Sequence, residues 1–178
     1  MLSKVKEILK NETAKKGFLL ELLTGNTIIK DGKPLAFIST EYIEVDNEIN
    51  FYTQCWNEGY DARIESVIEG KAVKVNFEKT LEEATMQEKI LAVLTYNEKS
   101  KKGFILDLLT ETTKIDIENE EIYIDNELSE CTLEDVYGED ITLEDMAVNY
   151  EDIYEDFIIY GQNYESNYNE LKEILELV

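Results

Sequence analysis

Hydrophobic positions along this chain follow a strand period early and a helix period late. Thr27–Lys30 and residues 35–39 flank Asp31-Gly32-Lys33-Pro34, a turn sequence between two apolar runs, and predict a β-hairpin. Residues 48–52 and 71–77 alternate apolar with polar and predict half-buried strands, with Ala72, Val73, Val75 and Phe77 supplying much of the apolar content of the second. Residues 114–117 and 121–124 repeat the hairpin pattern in more acidic form.

Three helix starts are marked by the same grammar. Thr80-Leu-Glu-Glu, Thr132-Leu-Glu-Asp and Thr142-Leu-Glu-Asp each place a hydroxyl where it can cap free N–H groups. They also place acids where the helix dipole favours them, with a capping-box acid three residues on. From Thr142 onward, Leu143, Met146, Ala147, Tyr150, Ile153, Tyr154, Phe157 and Ile158 fall on one helical face at 100° per residue. Glu144, Asp145, Glu151, Asp152, Glu155 and Asp156 fall on the opposite face. A last helix over residues 164–178 sets Tyr164, Tyr168, Leu171, Leu175 and Val178 on its core side.

One segment occurs twice. Asn11-Glu-Thr-Ala-Lys-Lys-Gly-Phe-Leu-Leu-Glu-Leu-Leu-Thr24 returns at an offset of 86 as Asn97-Glu-Lys-Ser-Lys-Lys-Gly-Phe-Ile-Leu-Asp-Leu-Leu-Thr110, with ten of fourteen positions identical. Each copy follows an apolar segment and precedes a β-rich one. The reading is an α+β protein of two related small modules, residues 1–79 and 80–178, from an internal duplication. Each module runs helix, turn, short apolar element and antiparallel strands, and two copies of this length fit a duplicated small domain rather than a solenoid. In this reading Lys15-Lys16-Gly17-Phe18 and Lys101-Lys102-Gly103-Phe104 are turns that belong to the fold. The C-terminal half is mainly acidic helix, and Trp56 packs in the core or between the modules.

Charge changes the picture. The net charge is −23 over 178 residues, far beyond the magnitude of about 2–8 that keeps a small domain soluble. Residues 1–86 hold 11 basic and 15 acidic residues, whereas residues 87–178 hold 6 and 25. From Ile115 to Leu171 there are 19 acids, seven tyrosines and no Lys, Arg or His. Halophilic acidity would spread over both halves, so an excess confined to one half reads as a binding surface. An ordinary helix exterior mixes signs because Glu–Lys pairs at i,i+4 stabilise it. With 43% hydrophobic residues, the acidic region is folded surface and not a disordered tail.

Other chemistries find little support. The chain has no histidine, P-loop, GxGxxG or GxSxG motif, so enzymatic activity is not expected. Residues 116–127 place oxygen ligands like a calcium loop but carry Glu121 where that loop needs glycine, and Ile122-Tyr123-Ile124 reads as strand. Cys55 and Cys131 form no disulfide framework or metal spacing and read as buried free thiols. No signal peptide or apolar run of membrane-spanning length is present, and the expected setting is the cytoplasm of a host bacterium.

In size, one-sided acidity, low proline content and Ile/Lys/Asn/Glu-rich composition, the chain resembles the small acidic anti-defence proteins of phages and mobile elements. These include anti-CRISPR inhibitors of Cas nucleases and anti-restriction proteins. The resemblance implies a nucleic-acid mimic that occupies the basic DNA/RNA-binding or PAM-reading groove of a nuclease, most plainly a Cas effector or its guide complex. The residues expected to meet the partner are Glu134, Asp135, Glu139, Asp140, Glu144, Asp145, Glu151, Asp152, Glu155 and Asp156. Tyr137 and Tyr160, with Tyr123, are expected to contact partner arginines. No cofactor, direct nucleic-acid contact or membrane contact is expected, and the chain would act as a monomer or homodimer. The alternatives are an immunity protein that neutralises a basic nuclease toxin and a structural or assembly protein of a phage or mobile element.

Overall fold

A computed structural model describes residues 2–126 and 129–178, and its architecture is α+β. Helices α1 (Ser3–Leu9) and α2 (Glu12–Leu23) lead into strands β1 (Thr27–Lys30), β2 (Lys33–Ile38) and β3 (Glu41–Glu44). Helices α3 (Glu48–Glu58) and α4 (Ala62–Ile68) follow. The order then returns with α5 (Met86–Tyr96), α6 (Glu98–Leu109), β4 (Thr113–Asp116), β5 (Glu121–Asn126) and β6 (Ser129–Thr132). The chain ends with α7 (Leu133–Tyr137), α8 (Leu143–Tyr164) and α9 (Tyr168–Leu177).

Each three-stranded sheet is an antiparallel meander, in the order β1-β2-β3 and β4-β5-β6. The predicted hairpin forms with Thr27 opposite Ala36 and Lys30 opposite Lys33. Asp31 and Gly32 both take positive φ in its turn, as a tight two-residue hairpin loop requires. The second hairpin pairs Thr113 with Ile124 and Asp116 with Glu121. This confirms the strand reading of the calcium-loop-like segment, whose twelfth position, Glu127, lies outside the described residues.

Several expected elements take another form. The repeated segment is no turn but the central helix of each half, with Asn11 and Asn97 as N-caps accepting from Ala14 N and Ser100 N. Residues 48–52 open helix α3, because Tyr52, Cys55 and Trp56 continue their apolar face at helical spacing. Residues 71–77 form no strand, although Val73, Val75 and Phe77 pack on the core. Thr80 starts no helix; it bridges to Thr142, and α5 begins after Thr85, whose hydroxyl completes a capping box with Glu88. The last helix is split, because α8 runs on through Tyr164 and α9 starts at Tyr168. Leu171 and Leu175 are buried as expected, whereas Tyr164 is 82% exposed. Cys55 is buried but Cys131 only half-buried.

The Lys-Lys-Gly-Phe motif performs the same four contacts in both halves. Lys15 donates to the carbonyl of Leu177 at 3.2 Å and Lys101 to that of Val178 at 3.4 Å, so both satisfy free carbonyls at the end of α9. Lys16 lies over the Trp56 ring at 5.4 Å and Lys102 over the Tyr154 ring at 5.9 Å. Gly17 and Gly103 let the backbone of the crossing helix approach at Tyr52 and Tyr150. Phe18 and Phe104 meet those tyrosine rings edge to face, at 5.2 and 5.0 Å. Each tyrosine hydroxyl then meets the first strand's threonine, Thr27 at 3.1 Å and Thr113 at 3.3 Å. One buried apolar cluster runs through both halves, from Leu2 to Leu175. Among the described residues, no helix is long and apolar enough to cross a membrane.

Candidate functional site

The acidic surface is built on α7 and α8. Thr132 and Thr142 cap these helices with full capping boxes, and Asp135 and Asp145 are the reciprocal acids. Hydrogen bonds from Thr132 and Thr142 hold both carboxyls below the usual carboxylate range. Leu143, Met146, Ala147, Tyr150 and Phe157 are buried against the core, which turns the opposite face of α8 outward. Ile153 and Tyr154 are half-buried, and Ile158 is exposed at the edge of that face.

Apart from the capping acids Asp135 and Asp145, the acids expected to meet a partner divide into two sets. Glu134, Glu151 and Glu155 are half-buried and engaged within the molecule. Glu134 pairs with the buried Lys89 of α5, and Glu155 pairs with Lys99. Glu151 accepts from Asn97 Nδ2 at 2.7 Å and lies 3.7 Å from the Lys99 ammonium. The second set, Glu139, Asp140, Glu144, Asp152 and Asp156, is exposed and forms no ion pair with any described residue. Acids elsewhere do find a cation: Lys4 holds the exposed Glu44 at 2.5 Å and the half-buried Glu48 at 2.8 Å, and Lys79 holds the half-buried Glu88 at 2.7 Å. Glu144 to Asp156 spans about 18 Å along the helix at about 1.5 Å per residue.

The tyrosines divide in the same way. Tyr137 is half-buried against the core, where burial and the nearby Asp107 push its hydroxyl up to about 12. Tyr123 donates its hydroxyl to Glu121. Tyr160 is 54% exposed, and beside it Ile159 and Tyr164 extend an apolar patch along the last turns of α8.

A groove of about 250 Å³ opens between this end of α8 and the C-terminal end of α6. Ile153, Phe157 and Gly161 line it together with Tyr160 and Tyr164, and its carboxyls are Asp107, Asp156 and Glu165. Asp107 is only 7% exposed and accepts a hydrogen bond at Oδ2 from Thr113 at 3.2 Å. Burial pushes its carboxyl up to about 7, against the weaker opposing effect of the Thr113 bond. Glu21, the matching residue of α2, is likewise pushed up to about 7 by burial and then by the charge of Glu58.

Sequence reasoning misses Asp107 and Glu165, and it places Tyr164 on the core side of the last helix rather than at this exposed groove. The signal for Asp107 was present: an acid stands at the same place among the leucines of both copies of the repeat. The chain matches no family model, no curated protein and no solved structure. The chemistry available at this surface is recognition of cations, through open carboxylates flanked by exposed aromatic and apolar groups.

Proposed function

We propose that this protein is an acidic nucleic-acid mimic that inhibits a nuclease by occupying its basic DNA- or RNA-binding groove, as an anti-CRISPR protein acting on a Cas effector in the bacterial cytoplasm would. The observation that carries this reading is the exposed set Glu139, Asp140, Glu144, Asp152 and Asp156, on a capped helix and the turn before it, with no ion pair to any described residue. Such a row is self-repelling in the free protein and gains when Lys and Arg of a partner neutralise it. The ordered apolar face of α8 fixes the shape of that row, so the partner meets a preformed surface and little ordering cost is incurred on binding. The matched contacts of the two halves support their origin by duplication, with the second copy elaborated into the acidic face.

The test is capture of host proteins on the immobilised chain at low and at high salt, with duplex DNA as competitor. Recovery of a nucleic-acid-binding nuclease that excess DNA displaces and high salt releases is the expected result. Failure to retain any basic protein at low salt would sink the reading. A captured secreted-type toxin nuclease in place of a Cas effector would move the protein to the immunity class.

A further inference from the structure

The two halves differ most where the helix that crosses the central helix ends. In the first half, Gly59 takes φ +61° and terminates α3, after which α4 returns with Ile64 fully buried. In the second half α8 continues as helix past Phe157 to Tyr164, and the groove beside Asp107 lies open along these added turns. Asp107 is thus a carboxyl more than nine-tenths removed from solvent that nonetheless lines an accessible groove. Among the described residues its side chain accepts one hydrogen bond, from Thr113 to Oδ2.

Three features specify what the groove fits. Among the described residues it is lined by three carboxyls and no Lys or Arg, so its complement is a cation. Its walls are Ile153 and Phe157, so the cation must arrive on an apolar stem. Its volume of about 250 Å³ falls below the roughly 300–1,000 Å³ typical of small-molecule sites, which suits one long side chain. The tyrosines at its mouth then choose between the two cationic residues. Tyr160 and Tyr164 are 54% and 82% exposed, and aromatic faces stack a planar guanidinium better than a strongly hydrated ammonium.

We propose that this groove is an arginine receptor: one arginine of the basic partner inserts between the ends of α6 and α8, its stem against Ile153 and Phe157, its guanidinium bridging Asp107 and Asp156, and Tyr160 and Tyr164 closing over it. This rests on the proposed reading of the protein as a ligand for a basic groove, and it names the specific contact within that otherwise diffuse attraction. The open row of Glu144 and Asp152 supplies long-range attraction, and the groove supplies register.

The test uses the full chain labelled with ¹⁵N, titrated at low salt with the capped peptides acetyl-Gly-Arg-Gly-amide and acetyl-Gly-Lys-Gly-amide. Amide shifts should concentrate at Thr112, Gly161 and Tyr164 with the arginine peptide, and the lysine peptide should bind several-fold more weakly. The variants Asp156→Asn and Tyr160→Ala/Tyr164→Ala alter exposed positions and leave the fold intact. Each should weaken the arginine peptide by about tenfold, whereas Glu144→Gln should change it little. Shifts spread evenly over α7 and α8, or equal binding of the two peptides, overturn the arginine receptor. If that occurs while polyarginine still binds at low salt and Glu144→Gln/Asp152→Asn weakens it, the mimicry reading stands without the groove. If polyarginine does not bind at all, both fall together.

Discussion

Gly103 lies in backbone contact with the carbonyl of Tyr150: a Cβ built on the glycine would stand 1.8 Å from that oxygen. The same relationship holds between Gly17 and Tyr52, at 1.7 Å. These contacts explain why a glycine sits inside each central helix, where it costs about 1 kcal/mol relative to alanine. The obstacle is main chain, which cannot swing aside as a side-chain tip can. Gly103→Ala and Gly17→Ala should each lower stability by about 1–3 kcal/mol or more despite the better helix propensity. Urea unfolding followed by circular dichroism measures this, and a more stable alanine variant would contradict the close crossing.

Asp107 gives the protein a pH-dependent stability with a definite sign. Its carboxyl stands near 3.8 when solvated and about 7 in the fold, so between these values the folded chain holds a proton that the unfolded chain has released. Stability therefore falls as pH rises from about 4 to about 7, and this contribution is fully lost above the folded value. The groups facing it are Thr113 from β4, Tyr137 from α7, and Tyr150 and the groove acid Asp156 from α8. Glu21 acts in the same direction from the first half. Asp107→Asn should match the parent near pH 5 and exceed it near pH 8, by about 1–3 kcal/mol. Thermal melts across this range test it, and parallel pH profiles for the two proteins would rule it out.

The sequence was most readable where local geometry is demanding. Asp31-Gly32 has few uses other than a tight hairpin turn, and the Thr-Leu-Glu-Asp starts at Thr132 and Thr142 cap helices as they read. It was least readable where burial is complete. Residues from Gly17 to Leu23 in α2 are buried on all sides, so no polar face marks the helical period, and Gly17 mimics a turn signal. Residues 48–52 alternate over too short a window to separate strand from helix, and only Cys55 and Trp56 decide. For the acidic face, composition marks α7 and α8 as acid-rich, but ion pairing across the fold engages Glu134, Glu151 and Glu155 within the molecule. Lys89 and Lys99 lie far from those acids in sequence, so no local pattern reveals the pairing.

Thr142 joins two functions in one residue. Its hydroxyl accepts from Asp145 N at 3.2 Å and donates to Asp145 Oδ2 at 2.7 Å, which caps the helix carrying the acidic row. Its backbone bridges to Thr80 in the segment between the two halves. Thr142→Ala should cost about 1 kcal/mol, within the range of about 0.5–2 found for lost N-caps. Amide hydrogen exchange should rise first at Asp145 and Met146, and an unchanged exchange pattern there would remove the cap from the account.

The division of α8's acids predicts opposite effects from chemically identical substitutions. Glu151 and Glu155 share Lys99, and Glu151 also accepts from Asn97, so Glu151→Gln/Glu155→Gln should loosen the contact between α6 and α8. Its stability cost should be small, because Lys99 is half-exposed and solvent screens the pair. Among the described residues Glu144 and Asp152 have no such partner, and Glu144→Gln/Asp152→Asn should leave stability unchanged or raise it slightly by relieving repulsion. For a basic ligand the order reverses. The Glu144/Asp152 variant should lose about tenfold in affinity for polyarginine at low salt and show a shallower salt dependence. The Glu151/Glu155 variant should lose less, since those carboxylates already carry an internal cation. Calorimetric titration at two ionic strengths, paired with urea melts of the same two proteins, separates the cases, and equal affinity losses would erase the distinction between an inward and an outward row.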